Sequence, residues 1–142
     1  MPKPDPQYEA LGASAAAISN PAVLNHYAQL LETWCNDIVA YLGDSDRARW
    51  ETNDSGPDTE VDYWRRRMQR LTSITDQLKT RACKNVIGVL SAATKQPDDP
   101  LVDKGRITAL LRQWRQIDVS ITEAANESKD NCKYVPPFGS AR

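Results

Sequence analysis

Histidine is nearly missing from this chain: His26 is the single one in 142 residues. The three cysteines, Cys35, Cys83 and Cys132, stand 48 and 49 residues apart with no C-x-x-C pair. A closed zinc site needs four clustered ligands and a disulfide framework an even number of cysteines, so free thiols in a reducing compartment are the simplest expectation. Also missing is a G-x-x-x-x-G-K-[ST] string, whose amides and lysine hold phosphates, which excludes nucleotide hydrolysis by that route. No apolar run approaches the roughly eighteen residues a membrane-spanning helix needs. Residues 11–18 are apolar and Ala-rich, but Pro2, Pro4, Asp5, Pro6 and Glu9 precede them where a secretory signal carries positive charge, so secretion is not indicated. An excess of either charge is missing as well. With 18 Lys and Arg against 19 Asp and Glu the net charge is −1, which argues against holding nucleic acid or an anionic membrane through the overall field.

What is present is apolar material in a helical rhythm. Hydrophobic residues make up 40% of the chain and include four tryptophans, enough for a core in one compact domain or in a piece of something larger. Residues 1–19 show no clear period and are expected to form a flexible arm with at most a short helical turn, order beginning at Asn20. Asn20-Pro21 supplies an N-cap and a favoured first helical residue. Leu24, Tyr27, Leu31, Trp34, Ile38 and Tyr41 then follow at gaps of 3, 4, 3, 4, 3, with Leu30 and Leu42 widening the stripe and Gly43 expected as its stop.

Residues 43–56 read as a polar connection, and Gly56-Pro57 announces the second helix, with Asp58, Glu60 and Asp62 near its positive end. Its stripe is Val61, Trp64, Met68, Leu71, Thr75 and Leu78, in the same 3, 4, 3, 4, 3 spacing with Ile74 beside it. A limit near Thr80 leads to a shorter pattern of Cys83, Val86, Ile87, Leu90 and Ala93, closed by the prolines of Lys95-Gln96-Pro97-Asp98-Asp99-Pro100. Ile107, Leu110, Trp114, Ile117, Ile121 and Ala124 repeat the rhythm in a last helix between about Leu101 and Tyr134. Gly105 costs that helix about 1 kcal/mol relative to Ala, which favours a start after it, and Pro136-Pro137 ends it. No useful strand alternation occurs. The fold class expected is all-α, an antiparallel bundle of three long helices and one shorter one, with Leu31, Trp34, Ile38, Trp64, Met68, Leu71, Leu110, Trp114 and Ile117 in its core.

The residues offer little catalytic chemistry, and no catalytic, cofactor-binding or metal-ligating residue is assigned. His26, beside an apolar stripe, reads as a helix-boundary histidine. Arg65, Arg66, Arg67 and Arg70, with Lys79, Arg81 and Lys84, could touch phosphate or an acidic partner. Successive helical residues point about 100° apart, however, so a solvated helix face is the better account, with Asp62 and Arg66 a weak i,i+4 pair. Trp34, Trp64 and Trp114 read as core. Trp50, in the polar connection, reads equally well as cover for a bundle edge or as a partner contact. Asp98-Asp99 and Asp44 with Asp46 belong to turn-like sequence.

Two strings add a resemblance. Gly56-Pro57-Asp58-Thr59-Glu60-Val61-Asp62-Tyr63-Trp64-Arg65-Arg66-Arg67-Met68, continued by Leu71, Ile74, Gln77 and Leu78, resembles the signature of the N-terminal tail region of dynein heavy chains. The stretch from Ile117-Asp118-Val119-Ser120 to Asn131-Cys132-Lys133-Tyr134 is similar to the family's later tail helix. The likeness covers about Asn20 to Tyr134. Within the family, Thr33-Trp34-Cys35 and Val86-Ile87-Gly88-Val89-Leu90 are most similar to ciliary outer-arm heavy chains of the gamma type. The resemblance implies a rod-like helical tail that joins heavy chains and carries intermediate and light chains in the cytoskeleton of the ciliary axoneme. In that family ATP hydrolysis and microtubule binding belong to distant parts. Residues 135–142 depart from the helical continuation expected of such a tail, which suggests either a fragment or truncated product, or a small protein keeping one tail module. Either way the expected activity is binding, with self-association among the outcomes and neither nucleic acid nor membrane as partner. A free-standing helical adaptor without a motor role is the alternative.

Overall fold

In a computed structural model the backbone is described for residues 1–52 and 57–133, and side chains for residues 1–43 and 63–132. Every regular element among them is helical: α1 (Pro6–Glu9), α2 (Ala15–Ile18), α3 (Pro21–Thr52), α4 (Pro57–Leu78), α5 (Arg81–Ala93) and α6 (Lys104–Lys133). Five of the six starts are fixed by a polar side chain accepting an otherwise unmatched amide, the commonest way a helix N-terminus is satisfied. Asp5 accepts from the Gln7 amide, Ser14 from Ala17, Asn20 from Ala22, Thr80 from Cys83 and Asp103 from Arg106.

Three expectations are corrected. Gly43 does not stop the first long helix, which continues to Thr52. The only glycine with positive φ among the described residues is Gly12, so Gly43 keeps helical backbone, and a Gly inside a helix costs only about 1 kcal/mol. Residues 44–52, read as part of a polar connection, are therefore helical backbone, and Trp50 sits on it with its side chain outside the described residues. The last helix starts before Gly105, because the Asp103 cap offsets the glycine. Regular structure begins at Pro6 instead of Asn20: residues 1–19, expected as an arm, contain α1 and α2 and lie against the long helices, with Pro4 and Ala17 buried. Helices of four residues are too short to show a period, so the pattern could not reveal them.

The core lies where α6 packs on α3 and α4, with α5 set against α3 and α6 and α2 closing one end against α3 and α5. Leu31, Trp34, Ile38, Trp64, Leu71, Leu110 and Ile117 are buried as expected, whereas Met68 and Trp114 are only half-buried. Trp114 still packs on the core, its ring 6.1 Å from that of Trp34 at a tilt of 44°. At the other end Asn25 donates to the Leu101 carbonyl at 3.2 Å, and Arg106 reaches Gln29 and Glu32 at 3.3 Å, which sets the register of α6 on α3.

Candidate functional site

The basic cluster of α4 is divided by the helix's rotation. Arg65 and Arg66 are exposed, but Arg67 is 5% exposed, four residues after Tyr63 and four before Leu71, both buried. The inward stripe of α4 is thus Tyr63 and Trp64, then Arg67, Leu71 and Ile74, displaced by about one position from the expected Trp64–Met68–Leu71–Thr75 line. The guanidiniums of Arg67 and Arg70 lie 5.5 and 5.7 Å from the centre of the Tyr41 ring on α3, within cation–π range. Both arginines thereby reach from α4 to α3, Arg67 buried against it and Arg70 exposed. This corrects the reading of residues 65–67 as wholly solvated. Lys79, Arg81 and Lys84 are exposed around the α4–α5 junction.

Beside Arg67 runs a groove of about 490 Å³, floored by Leu42, Gly43, Ile117 and Ala124 and edged by Glu123 and Glu127. Val39, at 49% exposure, lines the same groove; Val119, at 57%, lines a separate open concavity with Arg112 and Arg115. The apolar floor with a carboxylate edge can receive a side chain of another helix.

The titratable groups are placed for structure. His26 is half-buried, and its Nε2 accepts the Asp5 backbone N–H at 3.0 Å while the Tyr8 ring sits 5.4 Å away. That bond requires a neutral imidazole with its proton on Nδ1, a role the sequence did not disclose because its donor is a main-chain amide 21 residues distant. Burial pushes the Cys83 thiol up to about 11, and burial with the nearby Glu32 carboxylate does the same for Cys35. Both stay thiols near neutral pH and are poor nucleophiles. All three cysteines are free. Asp98, paired with Lys104 at 2.8 Å, has its carboxyl held below its ordinary value by that hydrogen bond and charge. Lys104 also donates to the Gln96 carbonyl. Asp99 accepts the Leu101 amide in a turn. The side chains of Asp44 and Asp46 lie outside the described residues. The Tyr27 hydroxyl is buried without a hydrogen-bond partner among the described residues, and burial followed by the Glu9 and Asp5 charges raises its pKa. Among the described residues no group of three or more His, Cys, Asp or Glu could hold a metal ion, and no helix is long and apolar enough to cross a membrane.

The regular structure of the described residues is entirely helical, which places the chain in the all-α class, and sequence relatives specify the family. The chain belongs to the dynein heavy chain family: residues 24–140 match its "Dynein heavy chain, N-terminal region 1". It is 38% identical over 141 residues to the Dynein gamma chain, flagellar outer arm, of Chlamydomonas reinhardtii, a match covering 94% of this chain and 3% of that protein. Human Dynein axonemal heavy chain 8 is 37% identical over 120 residues, covering 84% of this chain and 2% of the relative. Rat Dynein axonemal heavy chain 5 is 32% identical over the same 84% and 3% of its own length. The chain thus spans only a few hundredths of the length of the curated relatives it matches. No solved structure matches it significantly.

Proposed function

We propose that this chain serves as a non-catalytic part of a dynein heavy chain tail, associating with other heavy chains and carrying intermediate or light chains in the outer arm of a ciliary axoneme. The match of residues 24–140 to the N-terminal region of the heavy-chain family carries this reading. The names of the relatives, flagellar outer arm and axonemal, support its place in the cilium. The physical character of the chain agrees with it. Long helices α3, α4 and α6, read here as an antiparallel bundle, display exposed Val39 in a carboxylate-edged groove, a surface of the kind helices use to pair.

Pull-down from ciliary extract with the tagged chain, followed by identification of what is bound, tests the proposal. Recovery of dynein heavy, intermediate or light chains, together with self-association in sedimentation at micromolar concentration, is expected. A monomer that captures no dynein subunit overturns the tail assignment and leaves the free-standing adaptor as the account. Purified chain is expected neither to hydrolyse ATP nor to bind microtubules. ATP turnover that co-elutes with the chain and survives removal of contaminants overturns its non-catalytic part.

A further inference from the structure

Residues 1–5 form an extended strap lying on α3. Proline at positions 2, 4 and 6 locks φ near −65°, and each proline drives the residue before it out of the helical region, so Met1-Pro2-Lys3-Pro4-Asp5-Pro6 is biased to a polyproline II course before it touches anything. Asp5, at φ −58° and ψ 126°, lies in that region. The strap is held at two points: Trp34 donates its indole N–H to the Pro2 carbonyl at 2.7 Å, and the Asp5 amide donates to His26 at 3.0 Å. Between these points Pro4 is buried. The spacing is consistent. Eight residues of α3 separate His26 from Trp34, about 12 Å of helix, while three residues of polyproline II span about 9 Å, and the imidazole and indole supply the remaining reach.

The α3 surface reads this strap through main-chain atoms and proline rings, with an indole N–H aimed at a carbonyl, the pairing by which aromatic-lined grooves hold Pro-rich peptides in general. The strap does not fill its surroundings. A cavity of about 570 Å³ continues beside Pro2, Pro4 and Trp34 towards Ala82 and Cys83 of α5. Gly12, at φ 59°, is the only positive-φ residue among those described and stands three residues beyond the end of α1, giving the segment a pivot.

We propose that the α3 face between His26 and Trp34 is a docking groove for an extended proline-rich peptide of a partner protein, kept shut by the chain's own residues 1–5. Because the strap is tethered, its local concentration is of millimolar order, and a partner peptide must displace it. The proposal does not depend on the dynein assignment.

Hydrogen exchange of the full chain followed by mass spectrometry, with a fluorescein-labelled peptide copying residues 2–8, tests it. Trp34→Phe keeps an aromatic, though smaller, ring and removes the donor; exchange in residues 1–11 should accelerate about tenfold while the thermal transition stays cooperative. Pro2→Ala with Pro4→Ala lifts the strap without altering the groove, and this variant should bind the peptide about tenfold more tightly than the unaltered chain. Adding Trp34→Phe to it should abolish the gain, and a peptide with its prolines replaced by Ala should not bind. Excess peptide should also raise exchange at Asp5 in the unaltered chain. Exchange in residues 1–11 that neither variant changes overturns the strap. Accelerated exchange without peptide binding, or binding indifferent to Trp34 or to the peptide's prolines, overturns the groove.

Discussion

Helices α3 and α4 carry the same 3, 4, 3, 4, 3 spacing of apolar residues and yet are buried differently. Between Pro21 and Gly43, α3 buries Val23, Leu24, Tyr27, Ala28, Leu30, Leu31, Trp34, Cys35 and Ile38, a band covering much of its circumference. Between Tyr63 and Leu78, α4 buries only Tyr63, Trp64, Arg67, Leu71 and Ile74. The difference follows from neighbours: α3 is covered by α2, α5 and α6, whereas α4 packs chiefly on α6. Spacing along a helix therefore reveals which side faces inward, but the breadth of that side is set by how many elements come to lie on it, a tertiary property.

Core truncation should separate the two helices most strongly. Leu31→Ala on α3, fully buried, should cost about 3–5 kcal/mol, and Met68→Ala on α4, half-buried, only about 1 kcal/mol, measured by urea unfolding. Equal losses would show that α4 is as enclosed as α3. Alkaline pH probes the same contrast through the thiols of α3 and α5. Their folded values near 11 lie above the ordinary 9.0, so their contribution is complete below about pH 9 and is lost as pH rises through 11. The loss should be on the order of 1–3 kcal/mol per thiol and should shrink on Cys35→Ala; Tyr27, also raised, adds to the decline above pH 10. At neutral pH, Cys132, half-buried, should react first with a thiol reagent.

Arginine replacements sharpen the comparison within α4. Arg67→Ala should cost about 1–3 kcal/mol through the lost contact with Tyr41, and Arg66→Ala less than about 0.5 kcal/mol. If the two lose equally, the inward placement of Arg67 fails. Arg106→Ala should also cost under about 1 kcal/mol, with the loss fading at high salt, since its link to Glu32 is partly exposed.

These same residues mark how far the sequence could be read. The positions of the four main helices, the Pro97–Pro100 break and most of the α3 and α6 stripes follow from period and proline chemistry alone. Arg67 did not, because its charge argues for solvent and only the ring of Tyr41, on another helix, offsets that. Val89, buried in place of the expected Ile87 on α5, shows the same insensitivity to rotation of a few tens of degrees. The contacts of His26 and Trp34 with residues 2–5 were hidden for a different reason: their partners are backbone atoms, which leave no side-chain signature.

The uninterrupted passage of α3 through Gly43 has a mechanical consequence. Its 32 residues make a rod of about 48 Å, in which Gly43 stands at roughly two thirds of the length. A β-carbon there would meet nothing within 4 Å, so the glycine is not required by close packing. Without a side chain to brace the turn, it is a point of low bending stiffness, and it lies two residues beyond Tyr41, where the arginines of α4 meet the rod. An alanine in its place would stiffen the rod at that turn while adding no contact of its own.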